Sequence, residues 1–347
     1  MTAEATTKIP QGSRILVTGA TGFTGSVLVR KLVEDGHDVI AVARTSSDTS
    51  HLIDLDIHWV RGNVFNEHTV HEAMEGVAYI FHVAAAYREA RLSDEDYYNV
   101  HVLSTQMLAR EALLNPDFKH FIHVSTVGVH GHIDEPPANE EYRFNPGDIY
   151  QKTKAEAENW LRSFAQDQDL PYTVIRPAAI YGPDDRRLLK VFKLATGPVF
   201  PLLGRKPCLY HLVHVDDLTN IMRLCATHPA ARNEVFICGN PQAVTIEEMG
   251  RTVANELGCP FRPIHLPAWP FFICADICEA LCRPLHIEPP LYRRRVAFFT
   301  KDRSFDTSKL RTKLEYTMRY SNEEGLRHTA RAYVQKGWLK AGPSCNR

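Results

Sequence analysis

Hydrophobic and polar positions fall in alternating blocks along the first half of the chain. Arg14-Ile15-Leu16-Val17-Thr18 is an apolar run of strand length. It leads through a glycine-rich turn into Val27–Leu32, which has helical periodicity and ends at Gly36. The next strand is Asp38–Ala43, and further strands are expected at Ile57–Val60, Ala78–Val83, His120–Val124 and Tyr172–Ile175. Helical patterns separate them, notably Asp96–Leu114 and Tyr150–Gln166. Strands that alternate with helices predict an α/β fold with a doubly wound, parallel Rossmann sheet. After Pro177 the character changes. Pro and Gly cluster from Tyr181 to Pro207, and strands return at His211–Val215 and Glu234–Cys238. The expected organisation is a dinucleotide domain over residues 13–180, with returning segments near 210–240. A smaller interleaved substrate lobe is expected from residues 181–209 and 241–340.

Composition narrows the function. The chain has 347 residues, with 40 Lys+Arg against 41 Asp+Glu and a net charge of −1. A nucleic-acid footprint would need a basic surplus, so no nucleic-acid partner is expected. Met1–Arg14 has no apolar core of a secretory signal, and no charge-free apolar run reaches the roughly 18 residues of a spanning helix. A cytoplasmic location follows as the expectation. All eight cysteines lie at or after Cys208, without a zinc-type spacing, so reduced thiols and no metal are expected. Cys274, Cys278 and Cys282 repeat every four residues and read first as small residues facing a core, with a metal or redox role as the weaker alternative.

The first candidate chemistry is the turn Thr18-Gly19-Ala20-Thr21-Gly22-Phe23-Thr24-Gly25. Glycines spaced by three permit a tight turn and close approach of backbone to a pyrophosphate, and the following helix start offers free N–H groups. At the end of the second strand a free ribose 2′-hydroxyl would call for Asp or Glu. The strand ends instead in Val42-Ala43-Arg44-Thr45-Ser46-Ser47. Arg44 can pair with a 2′-phosphate, and Ser46 or Ser47 can add hydrogen bonds, so NADP(H) is favoured over NAD(H). The second candidate is Tyr150 with Lys154, four residues apart on one helix face. A nearby ammonium favours the phenolate, so the pair can move a proton at a hydroxyl or carbonyl near neutral pH.

Taken together, Gly19-Ala20-Thr21-Gly22-Phe23-Thr24-Gly25 and Tyr150-Gln151-Lys152-Thr153-Lys154 resemble the extended short-chain dehydrogenase/reductase superfamily. The resemblance runs in order over about residues 13 to 340. Gly62-Asn63-Val64 is similar to the segment beside the adenine, with Asn63 in place of the usual Asp. His82-Val83-Ala84-Ala85 is similar to the strand end beside the cofactor ribose, and Asn99 matches the Asn of the following helix. Val124-Ser125-Thr126 resembles the strand that carries the catalytic hydroxyl, which implies Thr126 with Ser125 in reserve. Lys154 would also hold the nicotinamide ribose. The resemblance further implies cofactor contacts at Pro177, Ala179 and Ile180.

Within the superfamily, Arg176-Pro177-Ala178-Ala179-Ile180-Tyr181-Gly182-Pro183 resembles the 3β-hydroxysteroid dehydrogenase and dihydroflavonol reductase branch. Nucleotide-sugar enzymes carry an Asn on the diphosphate where Ala179 stands. Where they often carry R-x-G-D, this chain reads Thr300-Lys301-Asp302-Arg303-Ser304-Phe305-Asp306. The resemblance implies a hydride-transferring oxidoreductase acting on an apolar ketone or alcohol, with a homodimer as the habitual assembly. The alternatives are a nucleotide-sugar epimerase or reductase of the same superfamily and, third, a non-catalytic dinucleotide sensor. Substrate contacts are expected from Tyr87, Thr126, Ala178 and Tyr181. The pocket walls are expected from Ala85–Tyr87, Thr126–Val129, Ala178–Tyr181 and the loops between Leu188 and His211, with Phe200 among the apolar residues. Leu266 to Ile273 leads into a helix with an apolar stripe through Ile277 and Leu281, followed by Arg293-Arg294-Arg295. That segment reads first as a core or dimer helix, and second as a pocket cover or a peripheral membrane contact.

Overall fold

In the computed structural model, the described residues are 8–86, 92–204, 206–282, 289–291, 293, 296 and 302–342. The central sheet has seven parallel strands. In chain order they are β1 (Arg14–Thr18), β2 (Asp38–Ala43), β3 (His58–Arg61), β4 (Tyr79–His82), β5 (His120–Val124), β6 (Tyr172–Pro177) and β7 (Glu234–Cys238). Their spatial order is β7-β6-β5-β4-β1-β2-β3. The winding reverses between β1 and β4, and the crevice beyond the carboxyl ends of these two strands is where such sheets bind ligands.

The strands are buried on both faces, so the side-chain alternation sorts residues between two cores. Ile15 and Val17 of β1 face a layer with Leu28 and Leu32 of α1 (Phe23–Glu34). Leu16 faces the opposite layer, with Val70 of α2 (Glu67–Ala73) and Leu108 from further along the chain. The third connection holds α3 (Asp94–Tyr98), a π-helical turn (Asn99–Leu103) and α4 (Ser104–Leu114). The Ser93 side chain caps α3 reciprocally with Asp96. After β5 comes the long helix α5 (Ile149–Gln168), whose start is fixed by the Asp148 side chain accepting from the Gln151 N–H at 2.9 Å.

A further apolar cluster forms outside the sheet. Tyr181, Leu188 and Phe192 of α6 (Leu189–Ala195) pack there with Phe200. Met249 and Val253 come from a second helix at residues 246–256, and Leu326 and Tyr333 from a third at residues 322–335. Strand pairs tie these segments together: Ala179–Tyr181 runs parallel to Leu212–His214, and Phe200–Leu203 to Pro263–Leu266. No helix among the described residues is long and apolar enough to cross a membrane.

Two expectations for the cysteines change. Cys259 is disulfide-bonded rather than a reduced thiol. Cys274 is exposed and Cys278 and Cys282 are half-buried, so this repeat does not face a core. In their helix, Trp269–Cys282, only Ala275 is buried. Trp269, Ile273, Ile277 and Leu281 all lie exposed along it. The core reading of the apolar stripe is thereby corrected. Arg294 and Arg295 lie outside the described residues.

Candidate active site

One cleft of about 1960 Å³ runs along the carboxyl ends of the strands at the β1/β4 reversal. Typical small-molecule pockets are about 300–1,000 Å³, so the space suits a dinucleotide together with a second ligand. Its first section is the β1–α1 turn, where Gly19, Thr21, Gly22, Phe23, Thr24 and Gly25 line the wall. Gly19 has φ +73°, and a Cβ there would lie 2.8 Å from the Ala84 nitrogen. A Cβ on Gly25 would lie 2.0 Å from the Gly19 carbonyl oxygen. Gly22 caps α1 without a side chain, so the first-turn N–H groups face the cleft uncapped. This cradle fits a dinucleotide diphosphate. Gly25→Ala is therefore expected to cost at least about 2 kcal/mol of stability by overpacking and to weaken cofactor binding at least about tenfold. A thermal scan and a nucleotide fluorescence titration check both, and wild-type values in either would contradict the close packing.

The next section follows β2 and β3. Arg44, Ser47, Asn63 and Val64 line the cleft, whereas Ser46 does not. Arg44 is exposed at the strand end. Arg61 donates to Thr49 Oγ1 at 3.0 Å and holds the loop that carries Ser47. Beyond β4, Ala84 and Ala85 line the cleft. His82 of the same motif is buried beneath. Its Nδ1 accepts from Thr18 Oγ1 at 2.7 Å and its Nε2 faces Ser104 Oγ at 3.1 Å. Ser104 itself donates to the Val100 carbonyl, so His82 carries its proton on Nε2.

At the centre stand Ser125, Thr126, Tyr150 and Lys154, all on the cleft wall. The two hydroxyls have different work. Ser125 Oγ donates to the buried Glu158 carboxylate at 2.7 Å. Thr126 Oγ1 accepts the Gly128 N–H at 3.0 Å, and no described hydrogen bond uses its O–H proton. Thr126 thus has the O–H proton that no described hydrogen bond uses, whereas Ser125, on the same cleft wall, has its proton on Glu158. Lys154 is buried, and its Nζ donates to the Val124 carbonyl at 2.9 Å and the Ala84 carbonyl at 3.4 Å. Burial pushes its pKa down to about 7, opposed by the charge of Glu158. Pro177, Ala178, Ala179 and Ile180 close this side.

Other expectations for the substrate end change. Tyr181 is buried away from the cleft; its ring stands edge-on to His214, and a Cβ on Gly325 would lie 2.0 Å from its Oη. Phe200 is buried in the outer cluster against Phe261, and Val129 is also buried off the cleft. Tyr87 lies outside the described residues. Asn99 does not line the cleft, whereas His101 of the same π turn presents its ring edge-on to Tyr150 at 5.3 Å. The substrate end is instead built by Tyr97, His132, Asn145, Arg187, Tyr210, Phe272, Arg293, Asp302, Arg303 and Phe305. Phe272, Arg293, Asp302, Arg303 and Phe305 come from segments that the sequence marks out for other reasons, a pocket cover or membrane contact and the family comparison near the C-terminus, whereas Tyr97, His132, Asn145 and Arg187 carry no such signal. No cluster of metal-ligating side chains occurs among the described residues.

Comparison with known proteins places this geometry. The model of the NAD dependent epimerase/dehydratase family matches residues 15–239. The chain belongs to this family. Its members are NAD(P)-dependent enzymes acting on hydroxyl and keto groups, in the extended short-chain dehydrogenase/reductase group that the motifs resemble. A UDP-glucose 4-epimerase of Vibrio cholerae is 26% identical over 94% of this chain and 97% of its own length. A 2-alkyl-3-oxoalkanoate reductase of Stenotrophomonas maltophilia is 27% identical over 90% and 97%. Among solved structures, a dTDP-glucose 4,6-dehydratase of Bacillus anthracis in complex with NAD shares the fold, with a TM-score of 0.72 and 20% identity over 94% and 98% of the two chains.

Proposed function

We propose that this family member is an NADP(H)-dependent oxidoreductase interconverting a ketone and an alcohol on a largely apolar substrate. The observation that carries the reading is the wall Pro177–Ile180, where Ala178, Ala179 and Ile180 meet the reacting centre and Ala179 stands in place of a diphosphate-binding amide. A similar chain is a 2-alkyl-3-oxoalkanoate reductase by name. When bound, the nicotinamide supplies or accepts the hydride. Thr126 holds the reacting oxygen through its free O–H. Tyr150 gives a proton to that oxygen during reduction and takes it back during oxidation. The Lys154 ammonium, held by the Val124 and Ala84 carbonyls at two strand ends, favours the Tyr150 phenolate and would hold the nicotinamide ribose.

The nucleotide-sugar reading has its own support in Arg187, Arg293 and Arg303, three guanidinium groups at the substrate end. Two of them are already matched by carboxylates, Arg187 by Asp185 at 2.7 Å and Arg293 by Asp276 at 2.5 Å. A diphosphate would have to compete for them. A panel of 3-ketosteroids, 2-alkyl-3-oxoacids, a flavonoid ketone and UDP-glucose, followed by nicotinamide absorbance and by sugar analysis, separates the two. UDP-glucose conversion with no activity on the ketones would reverse the order of the readings.

The NADP(H) preference rests on Arg44 with Ser47 at the end of β2. Arg44→Asp removes a phosphate partner and adds repulsion, so NADPH affinity should fall about 10- to 100-fold while NADH affinity changes little. Fluorescence titration with both nucleotides checks it. Tighter binding of NADH than NADPH by the unaltered protein would end the assignment.

A further inference from the structure

The scheme above leaves one buried imidazole without a task. His101 is fully buried in the π-helical turn Asn99–Leu103, between α3 and α4. Its Nε2 accepts the backbone N–H of Ala86 at 3.0 Å. A backbone amide can only donate, so Nε2 holds the lone pair and the ring proton sits on Nδ1. That proton is donated to Thr153 Oγ1 at 2.7 Å. Thr153 in turn donates to the Ile149 carbonyl at 2.9 Å. Every direction in the chain is therefore fixed: Ala86 to His101 to Thr153 to the first turn of α5. Its two ends are functional. Ala86 continues the strand end that lines the cofactor side of the cleft, and Ile149 precedes Tyr150.

We infer that His101 is a positioning residue: it locks the helix bearing Tyr150 and Lys154 to the strand end Ala84–Ala86, so that the phenol stands at a fixed distance from the nicotinamide. Two further observations agree. The Tyr150 ring rests edge-on against the imidazole at 5.3 Å. The helix that carries His101 widens into a π turn at this point, a local cost that recurs at functional sites. Both ring nitrogens are engaged, by Ala86 and Thr153, and burial with the nearby Lys154 charge pushes the imidazole pKa down to about 2, so the ring acts through its position rather than as a proton carrier.

The inference rests on the hydride-transfer reading only for its kinetic arm, and the test separates the two. Histidine ¹⁵N NMR of the whole protein, assigned by comparison with His101→Gln, should show a neutral Nδ1–H ring with and without NADPH. An Nε2–H or charged ring overturns the proposal, since neither can accept from Ala86. Kinetics use the compound of the panel that the wild type turns over. His101→Leu should lower kcat about 10²-fold, the scale of a small misplacement at a reacting centre, with KM and NADPH affinity within about threefold. Thr153→Val keeps the imidazole and removes its receiver, and should lower kcat in the same way even where His101→Leu does not fold. A side-chain amide has one acceptor and one donor on a single carbon, like the two ring nitrogens, so His101→Gln should recover at least about a tenth of wild-type kcat. A kcat for Thr153→Val within about threefold of wild type, or equal losses in His101→Gln and His101→Leu, would refute a positioning role. If no compound of the panel is turned over, the functional proposal fails and the NMR result alone decides this one.

Discussion

Tyr150→Phe should lower turnover by about 10²-fold or more, the range observed for general acid–base groups, with nearly unchanged affinity for nicotinamide nucleotide. The ring stays, and with it the edge-on packing against His101. What goes is the proton. The other polar groups of the site cannot replace it well. Lys154 is tied by Nζ to two carbonyls, and the Ser125 hydroxyl is engaged with Glu158. Thr126 remains within the cleft, but an aliphatic hydroxyl is a far weaker acid than a phenol beside an ammonium. Steady-state kinetics on the active compound of the panel, with nucleotide titration in parallel, read the two effects separately. Turnover within a few-fold of wild type would move proton transfer to another group.

Local sequence carried much of the fold and of the cofactor side. β5 and β7 begin and end where the apolar runs do, at His120–Val124 and Glu234–Cys238. The phosphate turn could be read because its constraint is local: the clash that forbids a side chain at Gly25 comes from Gly19, six positions earlier. The same holds for Tyr150 and Lys154, one helical turn apart on α5.

The substrate end obeys no local rule. Tyr97, His132, Phe272 and Arg303 reach the cleft from segments scattered over two hundred positions, each with a different local pattern. Tyr181 was misassigned because it shares a motif with Ala178–Ile180. It shares a strand face with Ala179, and that face packs into the outer cluster, where the ring of Tyr181 meets Gly325. Asn99 entered through the family resemblance, whereas His101, two residues on in the same π turn, belongs to no quoted motif and shows its place only through its contacts with Ala86, Thr153 and Tyr150.

The buried charges beneath the site carry the largest expected effect on stability. Arg176 on β6 and Glu158 on α5 are both fully buried. Arg176 Nε lies 3.1 and 3.2 Å from the two carboxylate oxygens, and its Nη1 donates to the Glu140 carbonyl at 2.7 Å. The guanidinium also stacks on Phe144 at 4.8 Å. Ser125 also donates to the carboxylate and ties the strand end bearing Thr126 to the same pair, and the more exposed Arg162 stands 4.0 Å from that carboxylate. A buried ion pair of this kind contributes little net stability against an apolar replacement, because desolvation offsets the attraction. Breaking it is different. Arg176→Leu or Glu158→Leu alone strands one charge in the interior and should cost about 3–5 kcal/mol. The double variant Arg176→Leu/Glu158→Leu removes both charges and should lose less than either single change, apart from the orphaned Glu140 carbonyl and Ser125 hydroxyl. Urea unfolding of the four proteins measures this cycle. Additive losses would mean that the two charges do not compensate one another, and a loss under about 1 kcal/mol for Arg176→Leu would mean that water reaches a guanidinium that the packing places out of its reach.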